Sequence, residues 1–290
     1  MKIRLLSGSC YIALLVAFYC LKIFVHDFFF DGLLYAFSII GTFEMLRAMG
    51  ERITKKQRGI VYAFTAICIP ACALSEYFYG VGLQVICICT FALSVALLSL
   101  LVVAHDETSL ESIGVAFLSA VYPTLLLSVL VLGNHFTPSK ELGALGINSN
   151  LFILFVFVVS PCADSIAYVF GRFLKKYFPK KMAPKLSPNK TVIGGIGGLV
   201  GGMLGALVLY FIYAAKPMHI WLPIFLLIGL IGAAATAFGD LVESCIKRKV
   251  GLKDMGNIMP GHGGALDRLD GTLFTSIATY ILFILIYIIF

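Results

Sequence analysis

Apolar residues fill the chain in nine long runs, at roughly 8–26, 28–47, 60–77, 81–104, 112–133, 150–171, 192–213, 220–239 and 272–290. Short polar stretches separate them. A helix needs ~20 such residues to cross the hydrocarbon core, and in lipid a helix satisfies all its backbone hydrogen bonds within one segment. The pattern predicts an all-α, polytopic integral membrane protein with about nine transmembrane helices. The first run follows Lys2 and Arg4, as the apolar part of a secretory leader would. It is long and shows no convincing small-residue cleavage site, so it reads as a retained span.

Composition excludes the other classes. Of 290 residues, 60% are hydrophobic and 13% charged, about half the ~25% charged share of soluble domains. The mean hydropathy is +0.99. Neither a water-soluble globule nor a disordered chain fits these values. The net charge of +7 reads as loop bias rather than as a nucleic-acid surface, and no nucleic-acid partner is expected. With the N-terminus in the cytoplasm, 19 of the 22 Lys and Arg residues fall on the cytoplasmic side, leaving Lys22, Lys140 and Lys216 opposite. This positive-inside split and an odd number of spans place the C-terminus outside. The eight cysteines lie mostly in apolar runs and read as small apolar side chains rather than a disulfide framework. The organisation expected is a bundle of about four spans in 1–110 and a catalytic region in 111–290, with cytoplasmic loops at 172–191 and 240–271.

The few acids are the sharper signal. Asp164, Asp240, Glu243, Asp254, Asp267 and Asp270 gather near the cytoplasmic ends of the last four spans. Asp164 lies inside a span, where a carboxylate is costly unless paired, hydrated or metal-bound; a helix–helix hydrogen bond is its structural alternative. If the eighth helix continues, Asp240, Glu243, Ser244 and Lys247 share one face at i, i+3, i+4 and i+7.

The stretch Pro260-Gly261-His262-Gly263-Gly264-Ala265-Leu266-Asp267-Arg268-Leu269-Asp270 combines glycines, which let backbone N–H groups approach an anion, with two carboxylates three residues apart. Like charges so spaced repel unless a cation lies between them. Oxygen ligands completed by substrate phosphates suit Mg2+. With Lys247, Arg248, Lys249, Lys253 and Arg268 nearby, this is the composition of a phosphoryl- or nucleotidyl-transfer site. The loop from Lys181 to Thr191 is stiffened by Pro184 and Pro188 and offers Lys185, Ser187, Lys190 and Thr191 to phosphate. The glycines that follow, from Gly194 to Gly205, repeat at four and predict close helix packing.

Residues 244–270, SCIKRKVGLKDMGNIMPGHGGALDRLD, resemble the signature of the phosphatidate cytidylyltransferase (CDP-diacylglycerol synthase) family. Asp164–Gly171 and Lys185–Thr191 are similar to two further family blocks. Met259 and Ala265 depart from the usual larger aliphatics, both at apolar positions. The resemblance implies that CTP and phosphatidic acid give CDP-diacylglycerol and pyrophosphate. It implies that Asp240, Asp267 and Asp270 hold Mg2+, with or without a second cation. Lys247 and Arg268 would neutralise the triphosphate. Ser187, Lys190, Thr191, Ser244, Arg248, His262, Gly263 and Gly264 would contact substrate, His262 having a purely structural turn role as its alternative. Glu243 and Asp164 would be supporting groups or ligands. It further implies a homodimer. A bacterial inner membrane, with the active site facing the cytoplasm, is the expected location. The competing readings are a CTP-dependent lipid-alcohol kinase and a transporter of an anionic metabolite.

Overall fold

The computed structural model describes residues 2–144, 146–184, 186–213, 221–259, 261 and 263–289. Among the described residues, nine helices are long and apolar enough to cross a membrane, and each coincides with one of the nine apolar runs. This is a multi-pass, all-α membrane protein. By contacts the chain divides into two compact units, Met1–His135 with Leu252–Arg268, and Phe136–Gly251 with Leu269–Phe290.

The first unit contains α1 (Lys2–Phe24), α2 (Phe28–Met49), α3 (Lys55–Tyr79) and α4 (Gly82–Val103). Its fifth span is α5 (Leu110–Ala120), a π-helical turn (Val121–Leu125) and α6 (Leu126–Asn134) in succession. Reciprocal capping starts α3: Thr54 Oγ1 accepts from Gln57 N at 3.3 Å and Gln57 Oε1 accepts from Thr54 N at 2.9 Å. Gly80, at φ +65°, ends it in the left-handed region that glycine occupies without strain. The π turn falls at Pro123, which has no N–H to give the α ladder.

The fifth span packs against α2, α3 and α4. A knot of buried hydroxyls is the reason. Thr124 Oγ1 lies 2.9 Å from Thr65 Oγ1, 3.3 Å from Thr42 Oγ1 and 3.0 Å from Ser38 Oγ. Polar groups inside a bundle must find one another, so these four draw α2, α3 and the π turn together. Thr124→Val, which keeps the shape and deletes the hub, is expected to cost about 1–2 kcal/mol, read as a lowered thermal midpoint of the detergent-solubilised protein. At the start of α2, Asp31 accepts from Asn134 Nδ2 at 2.8 Å and lies 2.7 Å from His135 Nε2, and Lys22 pairs with Asp27.

The second unit holds α7 (Lys140–Ala144), α8 (Ser149–Phe173), a hairpin of β1 (Lys181–Ala183) and β2 (Ser187–Thr191), α9 (Val192–Tyr213), α10 (Trp221–Lys249) and most of α11 (Leu266–Ile289). The proline-bearing loop thus forms a short antiparallel ribbon pairing Lys181 with Thr191 and Ala183 with Ser187. Glycines let α9 lie directly on its neighbours, as their spacing predicts. A Cβ at Gly201 would sit 2.5 Å from the Cys162 carbonyl on α8, and one at Gly202 would sit 2.5 Å from Ala233 Cβ and the Gly229 carbonyl on α10. Thr236 and Thr275 join α10 to α11 through hydroxyls 2.6 Å apart.

Two of the helices that outrun their apolar stretches are α10 and α11. The eighth run ends near 239, but α10 continues to Lys249; the ninth starts near 272, but α11 begins at Leu266. The added turns carry Asp240, Glu243, Ser244 and Lys247 on α10, and Asp267, Arg268 and Asp270 on α11.

Candidate active site

The continuation of α10 aligns the four polar residues that the i, i+3, i+4, i+7 spacing predicts. Ser244 Oγ lies 3.4 Å from Asp240 Oδ1, and Lys247 Nζ donates to Glu243 Oε2 at 2.8 Å, their side chains 12% and 0% exposed. Lys190, reaching from β2, pairs with the other Asp240 oxygen. Asp270 on α11 accepts from the Gly271 amide at 2.7 Å. It meets Glu243 side chain to side chain and stands within electrostatic range of Asp240 and Lys247. The approach is close because Gly239 carries no Cβ: one added there would collide with the Asp270 carbonyl.

Asp240 and Lys190 also line a cavity of about 730 Å3 within the same unit. Its other polar walls are Asp164, Tyr168, Arg172, Lys175, Asn189 and Thr191. Thr191 caps α9, its Oγ1 accepting from Gly194 N at 3.1 Å. Arg172 Nη1 donates to the Tyr168 hydroxyl at 2.6 Å and lies 5.9 Å from that ring's centre. The cavity lining thus places two carboxylates, Asp164 and Asp240, beside three cations, Arg172, Lys175 and Lys190, a set that can hold a polyanion.

The signature loop lies in the first unit and is built differently. Asp267 Oδ2 accepts from Met255 N at 2.9 Å and Gly264 N at 2.7 Å, and its side chain is buried. This oxygen is committed to the loop backbone. Gly263 takes φ +88° and bridges to Met259, whose N–H donates to the Gly263 carbonyl at 2.9 Å. Arg268 and Arg248 are exposed. Ser187 stands at the far end of β2 from Lys190. His262, Lys185 and Pro260 lie outside the described residues. Among the described residues, no three His, Cys, Asp or Glu side chains converge closely enough to share an ion. Asp240 and Asp270 stand within electrostatic range of one another in the second unit, and Asp267 belongs to the first.

The match to known proteins covers the same ground. A family model described as the cytidylyltransferase family matches residues 2–286. The chain belongs to the cytidylyltransferase family. It is 30% identical to the phosphatidate cytidylyltransferase of Bacillus subtilis (strain 168) over 282 residues, 97% of each chain. It is 38% identical to that of Staphylococcus saprophyticus subsp. saprophyticus over 183 residues, 63% of this chain and 64% of the relative. It is 42% identical to that of Staphylococcus haemolyticus over 123 residues, 42% of this chain and 45% of the relative.

Within this cytidylyltransferase two groups of residues escape the sequence reading. Arg172 and Lys175 count there only as loop charges. Yet Asp164, Tyr168 and Arg172 recur at i, i+4 and i+8, which sets them on one helix face. Glu44 is the second case. It interrupts an apolar run as Asp164 does, and the same cost argument points to it.

Proposed function

We propose that the protein transfers the cytidylyl group of CTP to phosphatidic acid, giving CDP-diacylglycerol and pyrophosphate, in phospholipid biosynthesis. The carrying observation is the Asp240–Asp270 pair, ringed by Lys190, Lys247 and Glu243 and opening through Asp240 on the 730 Å3 cavity. The near full-length likeness to a named phosphatidate cytidylyltransferase supports the same reading.

An oxygen of the lipid phosphate bonds to the α-phosphorus of CTP, and the bond from that phosphorus to the bridging oxygen breaks, releasing pyrophosphate. A phosphomonoester has a second pKa near ~6, so the nucleophile is already largely ionised and needs no strong base. Bringing two polyanions together is the obstacle: two unit charges 4 Å apart at an effective ε of 20 repel by about 4 kcal/mol. Lys190, Lys247, Arg172 and Lys175 offset that repulsion and hold the two phosphates in line. Asp240 and Asp270 are hard oxygen donors whose mutual repulsion fits a divalent cation completed by phosphate and water. They would hold Mg2+, which supplies further charge neutralisation when bound. Asp267, with one oxygen on two backbone amides, is assigned to holding the loop.

The distribution of Lys and Arg and the bacterial relatives support placement in the cytoplasmic (inner) membrane, N-terminus inside, C-terminus outside and the site facing the cytoplasm. A homodimer belongs to the proposal through the family resemblance. The purified protein in detergent is expected to release pyrophosphate from CTP only when phosphatidic acid and Mg2+ are both present. Release of CDP with a lipid alcohol would replace this reading with a kinase.

Lys190→Met gives a signed expectation. Lys190 competes with a cation for Asp240 and also neutralises phosphate. Turnover is expected to fall about tenfold or more, while the Mg2+ concentration for half-maximal rate falls rather than rises. A titration of pyrophosphate release against Mg2+ reads both effects.

A further inference from the structure

Glu44 lies on α2, inside a membrane-spanning helix, and its side chain is 0% exposed. It is 221 residues from its partners in the chain. Its Oε1 accepts from Ala265 N and its Oε2 from Leu266 N, both at 3.0 Å. These are amides at the start of α11, where the helix has N–H groups without partners of its own and a partial positive charge. One turn further along α2, Arg47 Nη2 donates to the Met255 carbonyl at 3.0 Å. Asp267 takes the amides of Met255 and Gly264. Two buried carboxylates therefore hold four backbone N–H groups of one loop.

Two glycines bear out the fit. A Cβ at Gly256 or at Gly264 would collide with the Glu44 carboxylate. Neither residue has a positive φ, so backbone conformation does not require glycine at either place. The space required by Glu44 does.

We propose that Glu44 is a positioning residue for cytidylyl transfer. It clamps the signature loop and fixes the first turn of the helix that bears Asp267, Arg268 and, one turn on, Asp270. The catalytic consequence rests on the function proposed above; the clamp itself rests only on the geometry of the loop. The carboxylate is the active feature, because both oxygens must accept. Gln at this position fills the same volume but turns an NH2 donor toward a backbone N–H, leaving buried donors facing one another. Asp keeps both acceptors on a shorter stem.

The test compares the full-length wild type, Glu44→Gln, Glu44→Asp and Gly256→Ala in detergent. Hydrogen exchange of the peptides covering 252–268 and pyrophosphate release from CTP with phosphatidic acid are both followed. Glu44→Gln is expected to speed exchange in 252–268 and leave the other spans protected. It should lower kcat about 100-fold, the scale of an ångström-sized displacement of catalytic groups, with KM for CTP little changed. Glu44→Asp should retain more turnover than Glu44→Gln, and Gly256→Ala should reproduce the exchange pattern with the carboxylate still present. Wild-type exchange and kcat in Glu44→Gln would overturn the proposal. So would a Gln variant more active than the Asp variant, which indicates space filling, or an exchange increase spread over every span, which indicates general destabilisation. If Glu44→Gln does not fold, Gly256→Ala decides by the same two readouts. A wild type that exchanges slowly in 252–268 but releases no pyrophosphate would sink the functional reading and leave the exchange comparison to judge the clamp.

Discussion

Asp240→Asn is expected to remove essentially all cytidylyl transfer, by roughly 10³-fold or more on the scale set by loss of one preorganised electrostatic group. The substitution is nearly isosteric, so packing at the end of α10 survives and the loss is electrostatic. It leaves the Lys190 ammonium facing an amide and takes away one of the two charges that would attract a cation. Pyrophosphate release measured across a wide Mg2+ range separates weakened cation affinity, which excess metal restores, from lost transition-state stabilisation, which it does not. Glu107→Gln supplies the contrast. Its pair with Lys56 spans 3.2 Å, but the side chains are 65% and 59% exposed. Such pairs contribute about 0–1 kcal/mol, so rate and thermal midpoint should stay at wild-type values. A variant Asp240→Asn with undiminished turnover would remove this residue from the mechanism.

Gly202→Leu is the largest expected effect on folding. A Cβ at this position meets Ala233 Cβ and the Gly229 carbonyl at 2.5 Å, with Val159 at 3.3 Å. Backbone stands on one side and packed side chains on the others, so no flexible group can yield. Overpacking in a core typically costs 1–3 kcal/mol; here α9 and α10 must separate, and the cost should exceed that range. The expected outcome is loss of a monodisperse peak in size-exclusion chromatography. Gly114→Ala, in α5, meets nothing within 4 Å and should hold or slightly raise the thermal midpoint, because alanine favours the helix. Equal behaviour of the two variants would mean that close α9–α10 packing is not what holds the second unit.

Much of this architecture is legible in one sequence because lipid permits so few solutions. Nine runs near twenty residues leave little choice but nine helices, and the glycines of α9 announce their contacts by spacing alone. The helix ends are less legible. An apolar run stops at the first charge, but α10 continues because Glu243 and Lys247 stabilise its next turns as an i, i+4 pair. The grouping of the fifth span with the first four depends on Thr42, Thr65 and Thr124 meeting across 82 residues, and hydroxyl residues in apolar runs carry no mark of their partners. Asp267 and Asp270 show another limit. Their three-residue spacing suits a shared cation, but spacing alone does not reveal that Asp267 Oδ2 accepts from the Met255 and Gly264 amides. Glu44 is the converse case, an isolated acid whose cost was visible and whose partners were not.

The clamp between Glu44 and the start of α11 also sets a timetable. Chains are synthesised at about 5–20 residues per second, so the 221 residues between Glu44 and Ala265 take roughly 10–40 s to appear. Throughout that interval the second span carries an acid whose two amide partners do not yet exist. The N-terminal bundle is therefore assembled in a provisional form, and its final locking coincides with arrival of the last span. Completion of the signature loop and completion of the first unit are, in biosynthetic terms, one event at the end of translation.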